Sequence, residues 1–364
     1  MRIYRMIKKE HKKFVHNFIK YVASFLVIIL LLGLLQGLLM PKYMSGNVEG
    51  AMTAEYYSEM EEHQGIEHDV IFIGDCEVFE SFSPAILWDE YGIHSYIRGS
   101  AQQLVWQSYY LLEDTLRYEK PDVVVFNVMA MQYNEPQNEA YNRMTLDGMK
   151  WSTAKIDAIR ASMTEEEHFI DYLFPILRFH SRWDELTKDD LYYLFQKDTV
   201  THNGYLMQTG VKPLEELPAP RILDDYSFGG NVYFYLDQMV ALCEENDIEL
   251  VLIKAPCVFP YWYEEWDTQI EEYAKNNGLK YYNFLDKMEE IGIDWNHDTY
   301  DGGLHLNVYG AEKLTSYFGE ILVEEFALED RRNEPKLSAD WEEKIRVYEN
   351  AKEKQEISSM STFE

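Results

Sequence analysis

An α/β domain is the architecture this sequence predicts: a doubly wound, flavodoxin-like parallel sheet of about five strands, flanked by helices. Three observations carry that expectation. Short runs rich in Val, Ile and Phe alternate with longer stretches of helical period. The first, Val70–Ile73, is apolar at every position and bounded by a Gly turn, which suits an inner parallel strand. One N-terminal stretch, residues 21–40, is long and apolar enough to form a transmembrane helix outside the domain.

Residues 1–20 are basic, with Arg2, Arg5, Lys8, Lys9, Lys12, Lys13 and Lys20 against Glu10 alone. From Tyr21 to Met40 the one strongly polar side chain is Gln36. Twenty residues at 1.5 Å rise span a bilayer core of about 30 Å. The positive charge precedes the span, so the N-terminus is expected in the cytoplasm and the rest outside the cell, as a single-pass cell-membrane protein. A cleaved signal peptide is the competing reading, but no small-x-small site is present in MPKYMSG. Residues 41–65 read as a linker and 66–326 as the α/β domain. Strands are expected at 69–74, 94–98, 121–128, 248–255 and 279–284, and helices at 101–117, 231–246, 261–277 and 309–326. A helical insertion, 131–229, breaks the alternation with helices at 150–163, 165–179 and 189–196, and reads as a cap over the active face. Residues 327–364 read as a charged, solvated tail.

The chain carries 33 basic and 64 acidic residues, a net charge of −31. Eight of the basic residues and one acidic residue, Glu10, lie before residue 45, which leaves 25 basic against 63 acidic, or −38, on the remainder. Such a surface is repelled by phosphate backbones, so no nucleic-acid partner is expected. Three cysteines are too few for a disulfide framework or a zinc site. Cys243 and Cys257 read as packed small hydrophobes, although a bridge between them is compatible with an outward location. No P-loop or dinucleotide fingerprint is present, and no cofactor is expected.

Chemistry concentrates in two distant segments. DVIFIGDCEVFESFSP begins as a buried strand and ends in a Gly-Asp-Cys turn, which lifts Cys76 to the carboxyl end of the sheet. DTYDGGLHLNVYGAEKL offers His305 and an acid before it in a Gly-rich loop ahead of a helix. A thiol, an imidazole and a carboxylate are the parts of a nucleophile, its base and an orienting group. A helix start with a nearby His is also where a thiol becomes reactive.

These segments resemble the SGNH/GDSL hydrolase superfamily. IFIGDC is similar to the Gly-Asp-Ser block, with Cys76 at the nucleophile position. DGGLHLNVYGA resembles the closing Asp-x-x-His block, YIRGSAQQ the Gly-bearing block and PDVVVFNV the strand that ends in the Asn. The resemblance implies an oxyanion hole from the N–H groups of Cys76 and Gly99 and the amide of Asn127. Two departures stand out. The nucleophile is Cys, not Ser, and the position three before the His is Gly302, so the acid is expected at Asp301, with Asp298 as a second choice. His305 would take the Cys76 proton or hold the thiolate as an ion pair, Asp301 would orient the ring, and acyl transfer would pass through a thioester. An outward SGNH-like domain on one N-terminal anchor is similar to the DltD family of D-alanyl-lipoteichoic acid transfer and to the SGNH proteins of alginate acetylation. That resemblance implies an acyltransferase acting on a cell-envelope polymer or glycan beside an MBOAT-type membrane O-acyltransferase. A surface esterase or amidase, and a non-catalytic envelope module on a decayed fold, are the rival readings.

Other clusters invite binding roles. Asp75 flanks the nucleophile. In the insertion, Arg143, Arg178, His180 and Arg182 lie in short polar-aromatic runs that could hold a phosphate or carboxylate, or pair with the surplus acids. YWYEEW (261–266) could form a sugar-stacking platform or ordinary packing. Asp294, Asn296 and Asp298 have calcium-loop spacing, but Thr299 and His305 stand where Gly and Glu are needed. His297, Asp301 and His305 form a weaker transition-metal alternative, and no metal is expected.

Overall fold

The computed structural model describes residues 2–40, 51–62, 66–195, 199–217 and 219–361. The chain divides into two compact units: residues 1–44 with 168–198, and residues 45–167 with 199–364. The longer helices are α1 (Arg2–Leu39), α2 (Ala51–Glu62), α3 (Cys76–Phe79, a single turn), α4 (Val105–Thr115), α5 (Glu139–Leu146), α6 (Thr153–Ser162), α7 (Gly230–Glu245), α8 (Glu264–Asn277), α9 (Val308–Phe326) and α10 (Pro335–Ser361).

In the larger unit β1 (Val70–Gly74), β2 (Ser95–Gly99), β3 (Val123–Asn127), β4 (Glu249–Lys254) and β5 (Lys280–Asn283) form one parallel sheet. The order is β2-β1-β3-β4-β5, so the chain leaves β1 to one side and returns to its other side. The crevice between β1 and β3 is therefore the topological switch point, where such sheets place their sites. In β1, Val70 and Phe72 face one core and Ile71 and Ile73 the other; β3 and β4 divide the same way. Successive residues point to opposite faces and both faces are covered, which is why these runs contain no polar interruption. The Val70–Phe72 face packs on α9 and α10, and the Ile71–Ile73 face on α4, α7 and α8.

Three expectations are corrected. The expected 41–65 linker contains α2, whose Tyr56 and Tyr57 are buried; the expected residues 41–50 and 63–65 lie outside the described ones. Tyr56 donates to Glu119 at 2.8 Å and lies 3.9 Å beneath the buried Arg98 guanidinium, while Tyr57 donates to Asp114. Tyrosine buries its ring here because its hydroxyl finds a carboxylate. The 131–229 insertion is not one body: α5 and α6 dock on α4 through Gln107 to Asn142 and Trp106 to Ser162, whereas 168–198 groups with α1. The tail is no solvated appendage. Leu337, Trp341 and Tyr348 of α10 are buried, and Trp341 stacks on Trp88 with centroids 5.4 Å apart. All three cysteines are free thiols, so Cys243 and Cys257 do not pair.

A polar cluster closes the amino end of the sheet. His68 bonds Glu119 at 2.7 Å and stacks on His94, whose Nδ1 accepts the Trp341 indole N–H at 3.1 Å. Glu59 receives Lys344 from α10. Burial alone would lower the His68 pKa, but Glu119 and then Glu59 raise it from 6.5 to about 9. The stability this proton contributes is complete below 6.5 and is lost as pH rises through about 9. Denaturation midpoints of the full chain should therefore fall between those values, and Glu119→Gln should flatten the fall; a wild-type midpoint that stays level across the interval would contradict the assignment. Trp341→Ala should cost about 3–5 kcal/mol, the usual loss for a buried Trp. An unchanged denaturant midpoint would show that α10 is not part of the fold.

Candidate active site

The nucleophile turn is built on close approach. A Cβ at Gly74 would lie 2.6 Å from Val78 and 3.1 Å from Asn127, so only glycine lets α3 fold back onto the strand ends. Asp75 precedes the turn with extended backbone, and Val78 N–H donates to its carbonyl at 3.0 Å. Cys76 is thereby presented half-buried at the carboxyl end of β1.

A buried network fixes this turn from below. The two amide hydrogens of Asn127, at the end of β3, go to Asp75 Oδ1 at 2.9 Å and Glu77 Oε2 at 3.0 Å. Its Oδ1 accepts the Ala255 N–H at 3.1 Å. Lys254, the last residue of β4, donates to the same Glu77 oxygen at 2.7 Å. This corrects the role expected for Asn127: with both hydrogens committed, it positions the nucleophile turn and has none left for a substrate oxyanion. Asp75 likewise lies in this network, buried with its Oδ1 taken by Asn127. Gly99 sits level with Gly74, and a Cβ there would meet Gly74 O and the Phe79 ring at 3.1 Å, which gives it a packing reason.

The second segment supplies the base. Gly302 and Gly303 have φ of +88° and +97°, and this left-handed pair turns the loop so that Asp301 reaches back to His305. Asp301 accepts the His305 main-chain N–H at 2.9 Å and the ring Nδ1–H at 2.7 Å. Nδ1 is thus occupied, which leaves Nε2 as the ring nitrogen free to act as a base, and His305 is the group that most opposes the rise of the Cys76 pKa. The acid in contact with His305 is Asp301. Asp298 is spent elsewhere, accepting from Asp294 N–H, His297 and Lys313. Asn307 caps α9 through the N–H groups of Tyr309 and Gly310, which anchors the loop.

Glu80 and Tyr300 were not legible as site residues. Tyr300 donates to Glu80 Oε2 at 2.5 Å and stacks parallel to the His305 ring, and Glu80 Oε2 lies 3.8 Å from His305 Nδ1. The available signal for Glu80 was its position four residues after Cys76, one turn along the same helical face. For Lys254 it was a lone charge at the carboxyl end of an apolar strand run.

Other expected ligands have structural partners. Arg143 is buried between Glu139 at 2.7 Å and Asp147 at 3.2 Å. Arg178, His180 and Arg182 belong to the unit of α1, where Arg182 donates to Leu39 O and Asp190, and His180 Nδ1 contacts Leu177 O. In YWYEEW, Trp262, Tyr263 and Trp266 pack on one another instead of forming an open platform. His297 pairs with Asp298, and Asp294 accepts the Asn296 N–H in a local turn. Among the described residues, the one close group of metal-type donors is Glu59, His68 and His94. It does not fit a metal. The Trp341 indole can only donate, so His94 Nδ1 accepts and its proton sits on Nε2, the atom a metal would need.

Electrostatics set the resting state. Burial pushes the Cys76 thiol up to about 11; His305 opposes this, while Asp75 and Glu80 add to it. Burial would lower His305, but Asp301, Cys76 and Glu80 raise it to about 11. Burial holds Glu80 near 7. A neutral thiol beside an imidazolium is therefore the resting form, in place of the thiolate ion pair usual for activated cysteines.

No family model and no curated protein matches this chain. Among solved structures, a Bacteroides fragilis protein described as an acylhydrolase is similar at 11% identity and TM-score 0.37, covering 78% of this chain and all of its own. A GDSL-like lipase from Bacteroides thetaiotaomicron is similar at 15% identity and TM-score 0.35, covering 77% and all of its own.

Iodoacetamide labelling of Cys76, monitored against pH by mass spectrometry, should have its midpoint well above the ordinary thiol value of about 8.5. His305→Ala removes the cation beside the sulfur and should move the midpoint higher still. A midpoint at or below the ordinary value would contradict the acidic surroundings of the thiol.

Proposed function

We propose that this protein is a membrane-anchored SGNH-type acyltransferase that carries its acyl group on Cys76. The observation that supports this is the hydrogen-bonded His305–Asp301 pair beside Cys76 at the carboxyl end of β1, on the switch-point side of the sheet. The α1 helix, with an apolar stretch from His11 to Leu39, holds the enzyme in the cell membrane with its N-terminus inside and its α/β unit outside.

In this reading neutral His305 accepts the thiol proton at Nε2 as sulfur adds to an acyl carbonyl. The N–H groups of Cys76 and Gly99 hold the oxyanion. Collapse expels the leaving group, which takes the proton from His305, and leaves a thioester on Cys76. An acceptor hydroxyl then gives its proton to His305, takes the acyl group, and Cys76 regains the proton. Asp301 keeps Nδ1 protonated and the ring oriented throughout. The proposed acceptor is a hydroxyl of an envelope glycan or polymer, with an MBOAT-type membrane partner as the source of the acyl group. With water as acceptor the same steps make a surface esterase. A non-catalytic module is favoured by one observation, the commitment of both Asn127 amide hydrogens to Asp75 and Glu77.

The full chain incubated with chromogenic acyl esters should gain a hydroxylamine-sensitive acyl mass on Cys76, and Cys76→Ala should gain none. His305→Ala should slow acylation about 100- to 10,000-fold, the usual worth of a general base. The wild-type rate should rise with pH towards about 11, because His305 must first lose its proton. Polyol acceptors that shorten the thioester lifetime identify a transferase; a lifetime indifferent to them identifies a hydrolase. Absence of any adduct across the pH range would leave the non-catalytic module.

A further inference from the structure

We infer that residues 169–195 form a second membrane contact, an interfacial platform that lies in the outer-leaflet headgroup region around the end of α1. The inference rests on the anchoring role proposed for α1. Along α1 the side chains from His11 to Leu35 are exposed, and cover begins at Gln36 and is complete at Leu39. The cover comes from 168–195: Arg182 donates to Leu39 O at 2.9 Å, and a Cβ on Gly37 would meet Leu194 at 3.1 Å. The short helices Phe169–Leu173, Ile176–Phe179 and Lys188–Tyr193 thus gather at the level where a membrane holding α1 must end.

What these helices leave uncovered includes a run of large apolar groups, with the charged Arg178, Asp184, Glu185, Lys188 and Asp189 exposed beside them. Phe174, Leu177, Trp183, Leu191, Tyr192 and Phe195 are all exposed, Trp183 at 71% and Phe195 at 89%. So many large apolar groups in so short a segment exceed the scattered exposure normal for a soluble surface. Aromatic side chains of this kind favour the headgroup level, and short amphipathic helices lie there with their apolar face buried. The buried Asp190 is satisfied within the segment, by Arg182 at 3.2 Å and by the Thr187 N–H, and the exposed charges Asp184, Glu185, Lys188 and Asp189 suit the polar headgroup level, not the hydrocarbon core. The occupant is the lipid interface because the patch is continuous with the exposed apolar surface of α1, which only lipid would cover. Attraction to anionic headgroups is not required.

The test uses the full chain with Cys76→Ala, since Cys243 and Cys257 are buried. A fluorophore sensitive to polarity is attached at Trp183→Cys, Phe195→Cys or Leu30→Cys, and each protein is placed in phosphatidylcholine vesicles with iodide on both sides. The expected result is blue-shifted emission at 183 and 195, quenching by shallow nitroxide lipid and loss of iodide quenching, with position 30 quenched by deep nitroxide lipid. Water-like emission and iodide quenching at 183 and 195, with position 30 still in lipid, overturn the platform and leave the anchor intact. Iodide access at position 30 overturns the anchor, and the platform with it. Shielding at 183 and 195 in native membranes but not in pure lipid assigns the patch to a protein partner and also overturns the proposal.

Discussion

The Lys254–Glu77 ion pair is the constraint on which the site depends. It lies buried beneath the nucleophile turn and joins, through Asn127 and Asp75, the carboxyl ends of β1, β3 and β4. Two charges removed from water are costly, and an apolar pair of similar volume would serve stability as well or better. What an apolar pair would not provide is direction. Glu77 accepts from both Lys254 and Asn127, and Asn127 spends every polar atom on a named neighbour. The turn carrying Cys76 therefore has one orientation, set by three strands at once. Loss of either partner would leave the other charge buried alone, which ordinarily costs about 3–5 kcal/mol.

Above that network the charge balance inverts what is usual for a reactive thiol. Asp75, Glu80 and Asp301 all stand near Cys76 or its base, and His305 is the cation that both the thiol and Asp301 contact. The carboxylates hold the proton on His305, and burial holds the proton on sulfur. A thiol held protonated alkylates and oxidises slowly, because the thiolate is the reactive species.

How much was legible depends on where the information sits. The strands were readable within two residues because burial on both faces leaves an undiluted apolar run, as in Val123–Phe126. Cys76, His305 and Asp301 were readable because each sits in a local turn whose glycines mark it. The missing parts are set across strands. Glu80 reaches His305 only once β1 and the 298–305 loop are brought together, and no spacing in the chain encodes that. Asn127 was found at the right place but given the wrong task, since its task is decided by Asp75, Glu77 and Ala255. The tail was readable as a charged helix or a partly disordered end, but the docking of α10 was not, because it contacts the core through Leu337, Trp341 and Tyr348, a stripe too thin to stand out among its charges. In α2 the buried face is built from tyrosines, which read as surface until their carboxylate partners are known.

The two ends of the sheet are organised by the same physics for different ends. At the carboxyl end, buried charge orients a turn and leaves one reactive atom half-open. At the amino end, Glu59 of α2 meets Lys344 of α10 and His68 just before β1, Trp341 of α10 meets His94 just before β2, and His68 bonds Glu119. The segments that flank the α/β core on either side in the chain are thereby tied to each other through it.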